Sequence, residues 1–565
     1  MLNLNVSAKE QNTFDAIVVG TGITGGWAAK ELTEKGLKVL LLERGANVEH
    51  PHYKTSTLDP WQFDHRGRLT EQDRENHFVQ TRHYSINGYC KHYYINDKEN
   101  PYQEVKRYDW VRTNVVGGRS LLWARACYRW GDVDFEANAK DGHGIDWPIR
   151  YKDLEPWYEY VEKFIGVSGQ SEKGFNHFPD MILQPPMEMN CVEKDFKSKA
   201  AKAFPDRLVT IGRTANLTAP VKGRGVCQTR NQCDRGCPYG AYFSTNASTL
   251  PAAFATGNLT LRPNSLVNRV LYDEATQRAS GVEIIDTETN EVVEFYSTIL
   301  FLNAATMATT FILLNSISNR FPNGLGNDSD QVGRHVMDHH KGAGASVSIE
   351  DFEEQYYSGR RPTGIYIPRF RNLNEKRNYL RGFGLQGGAG RSGWWNALGM
   401  ETIGADLKKV VQTPGHWNLS LGGFGECLPY PTNRVTLNTN LKDKYGRNTL
   451  SMDVEFKENE KAMHEDIANA AVEMLEACGY KDVKRNTGIS FPGNANHEMG
   501  TARMGHDPKT SVLNKFNQMH AVKNVFITDG SCMTSSGNVN PSLTYMALTA
   551  RACDYAVKEM MRKTI

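Results

Sequence analysis

Three thiols fall in one short stretch: Cys227, Cys233 and Cys237, spaced C-x5-C-x3-C, with Pro238 directly after the last. Gly223, Gly225, Gly236 and Gly240 surround them. So glycine-rich a loop can wrap a small inorganic cluster and offer backbone N–H groups to its sulfides, and Cys-Pro also ends one common ferredoxin run. Three thiolates are one short of the usual four-cysteine cluster and suit a [3Fe-4S] centre. A zinc site completed by a distant residue, a disulfide with one spare thiol, and unligated cysteines are the alternatives. A second chemical signal is the G-x-G-x-x-G spacing of Gly20, Gly22 and Gly25. The first glycine permits a tight turn, the second lets backbone approach a pyrophosphate, and the third allows close helix–strand packing. A third is His497 beside Glu498. A zinc-binding H-E-x-x-H helix needs a second histidine at position 501, which is Thr501, so that reading fails. Asn540 precedes Pro541, as an N-cap would.

These residues need elements to hold them. Phe14 to Val19 is a short apolar run, as a buried parallel strand is. Trp27, Ala28 and Leu32 then follow at helical spacing, Gly36 ends that helix, and a second apolar run, Val39 to Leu42, leads to Glu43. This is a β-α-β unit of about 30 residues with its acid about 20 positions beyond the glycines. The helix N-terminus faces the pyrophosphate. Glu43 accepts from an adenosine ribose and disfavours a 2′-phosphate. The unit binds a dinucleotide without separating NAD from FAD. At the far end, NVFITDGSCMTSSGNVN (Asn524 to Asn540) reads as a strand and a Gly/Ser-rich loop. Pro541 opens a helix with Leu543, Met546 and Ala550 on one face.

The chain has 565 residues, 39% hydrophobic and 23% charged, with a formal net charge of +2. That is ordinary for a globular protein of two to four domain-sized units, and gives no electrostatic case for nucleic acid. No apolar run is long enough to span a bilayer. Ile299 to Leu314 comes nearest and is interrupted by Asn303 and several threonines. The polar first dozen residues lack the pattern of a cleavable secretory signal.

Further motifs separate the cofactors. GGRSLLW (Gly117 to Trp123), the block Phe301 to Ser316 followed by VGRHVMDH (Val332 to His339), NHEMGTARMG (Asn496 to Gly505) and the C-terminal loop and helix occur in that order. Together they resemble the glucose–methanol–choline (GMC) family of FAD oxidoreductases along nearly the whole chain. Within it the resemblance is to bacterial sugar dehydrogenases, in particular the large subunit of glucoside 3-dehydrogenase. The implied fold is an α/β Rossmann-like FAD-binding domain plus a substrate domain on a mostly antiparallel sheet with helices. The expected division is 14–150, 218–340 and 490–565 for the FAD-binding parts, the second carrying the cysteine loop, with 151–217 and 341–489 for the substrate domain.

The resemblance implies roles for residues. Gly20, Gly22, Gly25, Glu43 and Val267 bind the cofactor. Gly117, Gly118 and Ser120 lie on the flavin side, and Asp529, Gly530, Asn540 and Pro541 near the pyrophosphate and flavin edge. Some relatives link a histidine to the ring from the GGxS region. That stretch here holds Leu121, Leu122 and Trp123, so noncovalent FAD is expected. His497 matches the family's catalytic base, and Asn540 the second position, where an amide orients the substrate oxygen. His335, His339 and His340 match a structural block rather than a metal site. The cysteine loop matches the [3Fe-4S] motif of related sugar dehydrogenases. Gln386, Trp394, Trp395 and Glu426 are candidate sugar contacts.

The expected activity is oxidation of a secondary ring hydroxyl, C3 of glucosides first, by hydride transfer to flavin N5. Electrons then leave through the cluster to an external acceptor. An oxygen-using sugar or C-glycoside oxidase, an FAD-containing lyase without net redox chemistry, and an electron-transfer subunit are the competing classes. The expected partners are a small subunit with a twin-arginine signal and a cytochrome or other acceptor. That implies the bacterial periplasm by way of the partner, or the cytoplasm without one.

Overall fold

The computed structural model describes residues 12–565 except 51, 52, 54, 176, 358–361, 392 and 394–399. The β-α-β unit forms where the apolar pattern places it: strands Thr13–Val19 and Val39–Leu42 flank the helix Ile23–Glu34. The first strand is buried over its last four residues and the second throughout, as parallel strands covered on both faces require. Gly36 follows the helix at φ +89°, where a side chain would be strained.

These strands join a seven-stranded sheet. Its order is Leu259–Arg262, Val39–Leu42, Thr13–Val19, Val292–Leu302, Arg278–Asp286, Ser265–Asp273, and Val525–Ile527 pairs with the inner end of Val292–Leu302. Thr13–Val19 runs parallel to Val39–Leu42 and to Val292–Leu302. The sheet therefore brings the chain's first strand, a strand from its middle and one near its end side by side. The strand ends carrying Gly20, Asn303 and Asp529 converge at one edge, where ligands bind in open α/β sheets.

The second sheet is antiparallel throughout: Lys484–Thr487, His340–Ile349, Trp417–Gly425, Phe383–Arg391, Ile365–Ile367, Thr210–Ile211. The helix Glu458–Ala477 buries Met463, Ile467, Ala471 and Met474 in the core on its face. Gly423 faces that helix closely, since a Cβ there would lie 2.4 Å from Ile467. A three-stranded sheet, Arg434–Lys442, Asn448–Asp453 and Gln103–Glu104, completes the architecture. The helix Ser542–Met561 packs against Ile23–Glu34 and Tyr151–Ile165. Among the described residues no helix is long and apolar enough to cross a membrane.

Candidate active site

A cleft of about 420 Å³ runs from the β-α-β unit to the edge of the antiparallel sheet. At one end lie Gly20, Gly22, Glu43 and Val267, in the middle Gly118, Ser120, Asp529 and Gly530, and at the other His497, Asn540 and Gln386. Gly25 sits behind the first turn of its helix, where a Cβ would come within 1.7 Å of Gly20 O. Above Gly22 a Cβ would meet nothing within 4 Å, and no side chain caps the helix. That is a cradle for a bulky anion at a helix N-terminus. Glu43 is buried and accepts from Thr21 N (3.1 Å), Thr21 Oγ1 (2.5 Å) and Gly45 N (2.9 Å). Burial raises its pKa, and these donors oppose the shift. Thr21 Oγ1 in turn accepts from Gly117 N at 2.8 Å, joining the dinucleotide turn to the GGRS loop.

The GGRS loop is bound to the catalytic motif by charge. Arg119 donates to both carboxylate oxygens of Glu498, at 3.0 and 2.7 Å. Glu498 thus has a partner 379 positions away, a role its sequence context does not disclose. Ser120 Oγ donates to Gly117 O and accepts from Thr245 N. Asp529 accepts from Thr309 Oγ1 and from Ser531 N and Oγ. Pro541 precedes the helix Ser542–Met561, and its neighbours Asn540 and Ser542 face the cleft.

His497 is held from three sides. Its backbone N–H donates to Asp338 Oδ1 at 3.0 Å, and Asp338 Oδ2 accepts from Gly493 N and Ala495 N. Asn496 takes φ +60° to turn the chain there, a region asparagine tolerates. His497 Nδ1 lies 2.8 Å from His339 Nδ1, and His339 Nε2 lies 2.9 Å from Gly537 O. A carbonyl only accepts, so His339 carries its proton on Nε2 and presents a bare Nδ1. His497 therefore donates from Nδ1 and turns a bare Nε2 to the cleft. At the other end Gln386 Nε2 donates to Asn540 Oδ1 at 2.7 Å, which leaves Asn540 Nδ2 3.4 Å from His497 Nε2. The two ends of the chain agree on the tautomer. Burial pushes the His497 pKa well below the usual histidine range, and His339, Lys341 and Arg119 push the same way. Burial also holds His339 down at about 4. The neutral ring is a proton acceptor.

Other candidates lie elsewhere. Glu426 does not face the cleft: it is buried beside Arg369 Nη1 (3.3 Å) and Arg381 Nη1 (3.8 Å), and burial raises its pKa to about 7 against the pull of both arginines. Trp394 and Trp395 lie outside the described residues. His335 bonds Pro429 O and His340 bonds His464, so the three histidines of that block do not converge. Cys227, Cys233 and Cys237 are free and half-buried. Among the described residues no group of three His, Cys, Asp or Glu side chains is arranged to hold a metal ion. The three thiols are near enough for Cys233 and Cys237 to help raise the Cys227 pKa, after burial. Their loop is shaped by its own backbone bonds, Cys227 N to Leu217 O, Gly225 N to Tyr239 O and Gly240 N to Cys237 O. It lies beside the cleft wall, since Tyr242 just beyond it donates to Leu121 O at 2.7 Å.

Comparison with known proteins decides the family. Models of the GMC oxidoreductase N- and C-terminal domains match residues 14–341 and 429–549. The chain belongs to the GMC oxidoreductase family. It is 29% identical to 2-methyl-1,2-propanediol dehydrogenase of Mycolicibacterium austroafricanum, over 96% of this chain and 94% of that one. It is 26% identical to the fructose dehydrogenase large subunit of Gluconobacter japonicus (98% and 99% covered) and 26% to the gluconate 2-dehydrogenase flavoprotein of Pantoea cypripedii (96% and 93%). The crystal structure of pyridoxine 4-oxidase from Mesorbium loti shares the fold, with a TM-score of 0.62 at 17% identity over 96% and 99% of the two chains. The GMC cofactor is FAD, and the residues present fit it: the open cradle over Gly22, the buried acceptor Glu43 and a continuous cleft to His497. As a GMC oxidoreductase the protein acts on alcohols or sugars.

Proposed function

We propose that this GMC oxidoreductase is a dehydrogenase that oxidises a secondary ring hydroxyl of a sugar or glycoside, with C3 of glucosides the first candidate. The observation that carries the alcohol chemistry is the polarised chain Gly537–His339–His497–Asn540, which leaves a bare His497 Nε2 facing the cleft. A hydroxyl seated there gives its proton to Nε2, while Asn540 Nδ2 orients its oxygen. Bound FAD supplies the hydride acceptor. Asp338 and Arg119–Glu498 hold the base against the GGRS loop. The names of the relatives, which include fructose, gluconate and a propanediol among substrates, favour polyhydroxylated alcohols.

The absence of a histidine from Leu121 to Trp123 supports noncovalent FAD, which acid precipitation should release into the supernatant. The cysteine loop supports a [3Fe-4S] centre only by its spacing, and iron and sulfide analysis of anaerobically purified protein tests that separately. The name of the large-subunit relative supports assembly with a partner subunit; a twin-arginine signal on that partner, delivery to the periplasm and an external electron acceptor are part of the same proposal. The decisive experiment is an anaerobic substrate screen. Sugars or glycosides should bleach the flavin and yield keto products by NMR, and an artificial dye should restore the colour faster than oxygen. Rapid recovery with oxygen would favour the oxidase, and a product without flavin bleaching the lyase.

A further inference from the structure

At the mouth of the cleft stands a cation with no ionic partner among the described residues. Lys341 lines the same cleft as His497, Asn540 and Gln386. It forms no ion pair with any described residue, and its ammonium lies 3.5 Å from His83 Nε2. His83 Nε2 also receives Asn496 Nδ2 at 3.1 Å. Both neighbours donate, so His83 Nε2 is an acceptor, while its Nδ1 faces Ser85 Oγ at 2.6 Å and Ser85 N at 3.3 Å. Burial first, then Lys341 and Arg119, hold His83 neutral, with its pKa lowered to about 3. Lys341 thus keeps donors free for a ligand.

Burial lowers the Lys341 pKa, and the two carboxylates that oppose this at longer range are already engaged. Asp338 accepts three backbone N–H bonds, and Asp109 pairs with Arg82 and Arg107. Arg119, the other cation of the wall, is taken by Glu498. Beside Lys341 the buried Oδ1 of Asn496 has no hydrogen-bond partner. Above it Tyr84 is 82% exposed yet lines the cleft, with Lys341 Nζ 5.2 Å from its ring. An apolar ring face, an unpaired ammonium and an orphaned acceptor together match a sugar ring that bears one negative charge.

We propose that Lys341, with Asn496 and Tyr84, forms an acid-recognition subsite, so that the preferred substrate is a sugar or glycoside carrying a carboxylate, such as a glycuronide. This rests on the alcohol-oxidising reading of the same cleft and narrows its substrate class. A carboxylate fits better than a phosphate. Phosphate dianions are met by several N–H donors, guanidinium forks or helix N-termini, and this end of the cleft offers one ammonium. The carboxylate would take the free Lys341 donors, a ring hydroxyl would donate to Asn496 Oδ1, and Tyr84 would cover the ring face.

The test uses the FAD-loaded enzyme and a matched pair, methyl β-glucuronide and methyl β-glucoside, in anaerobic stopped-flow flavin reduction. The acid should show at least a tenfold higher ratio of reduction rate to Kd. Lys341→Gln should raise the Kd of the acid at least tenfold and leave the neutral glycoside within about threefold. Lys341→Arg should restore most of the preference. Equal or better reduction by the neutral glycoside overturns the subsite but leaves the dehydrogenase reading intact, as does an equal loss for both substrates in Lys341→Gln. If neither sugar bleaches the flavin while simple diols do, the sugar reading itself fails and the subsite with it.

Discussion

Replacing His339 by leucine tests the tautomer chain directly. The substitution removes the acceptor for His497 Nδ1–H and the donor to Gly537 O, now 2.8 and 2.9 Å away. Both groups are left buried without a partner, at a cost of about 1–3 kcal/mol each. Most of that falls on stability. The part that reaches the rate is the lost preference for a bare Nε2 and the lost aim of the ring. If it is of the order of one to two hydrogen bonds, about 1.5–3 kcal/mol, flavin reduction slows roughly ten- to hundredfold. His339→Gln should recover most of the rate, because Gln Oε1 can accept from His497 while Nε2 donates to Gly537 O. The pH profile separates catalysis from mere folding. A base works only when unprotonated, so reduction is lost as pH falls through its pKa. Burial sets the His497 pKa well below the ordinary range, so the wild-type rate should stay flat as pH falls through about 6.5. In His339→Leu the neighbouring imidazole no longer opposes protonation, and the acidic limb should move up. Stopped-flow reduction across pH 5 to 9 measures both effects. A wild-type rate and limb in His339→Leu, or a glutamine variant as slow as the leucine one, would refute the reasoning.

Two further outcomes follow from the cofactor end and the GGRS loop. Gly22→Ala should fold with a near-normal Tm as apoprotein but bind FAD far more weakly, because its Cβ meets open space in the chain and occupies the pyrophosphate cradle. Gly25→Ala should fail to fold, because its Cβ lands 1.7 Å from Gly20 O. Equal FAD occupancy in Gly22→Ala and wild type counts against that cradle. Glu498→Gln should lower the unfolding free energy in urea by about 2 kcal/mol, less than the ~3–5 for a fully buried pair, because Arg119 keeps 27% of its side-chain surface exposed. It should also reduce flavin content. An unchanged urea midpoint would show that the pair does not tie the two motifs together.

The cofactor end was legible in the linear chain because its physics is local. A parallel strand, a glycine turn, a helix and an acid all act within about 30 residues, and their spacing is set by backbone geometry. The strand limits, the ending at Gly36 and the positions of Glu43 and Gly25 could be read from apolar runs and glycines. The order of distant motifs identified the family. His497 and Asn540 could be named from those motifs, although nothing in their neighbours says what holds them.

Folding alone decided which side chains meet. His339 and His497 are 158 positions apart, Arg119 and Glu498 379, Gln386 and Asn540 154. The seven-stranded sheet brings the chain's beginning, middle and end to one edge. Periodicity reports the face of an element and not its partner, so Glu498 read as half of a failed zinc motif and His339 as structural filler. Glu426 shows the converse. Its type suited sugar binding, but Arg369 and Arg381 surround it in the core. The cysteine spacing was legible too, but spacing alone does not say what the three thiols hold. Hydrogen-bond direction, tautomer and unpaired charge depend on atoms hundreds of residues distant, and only the tertiary structure sets them.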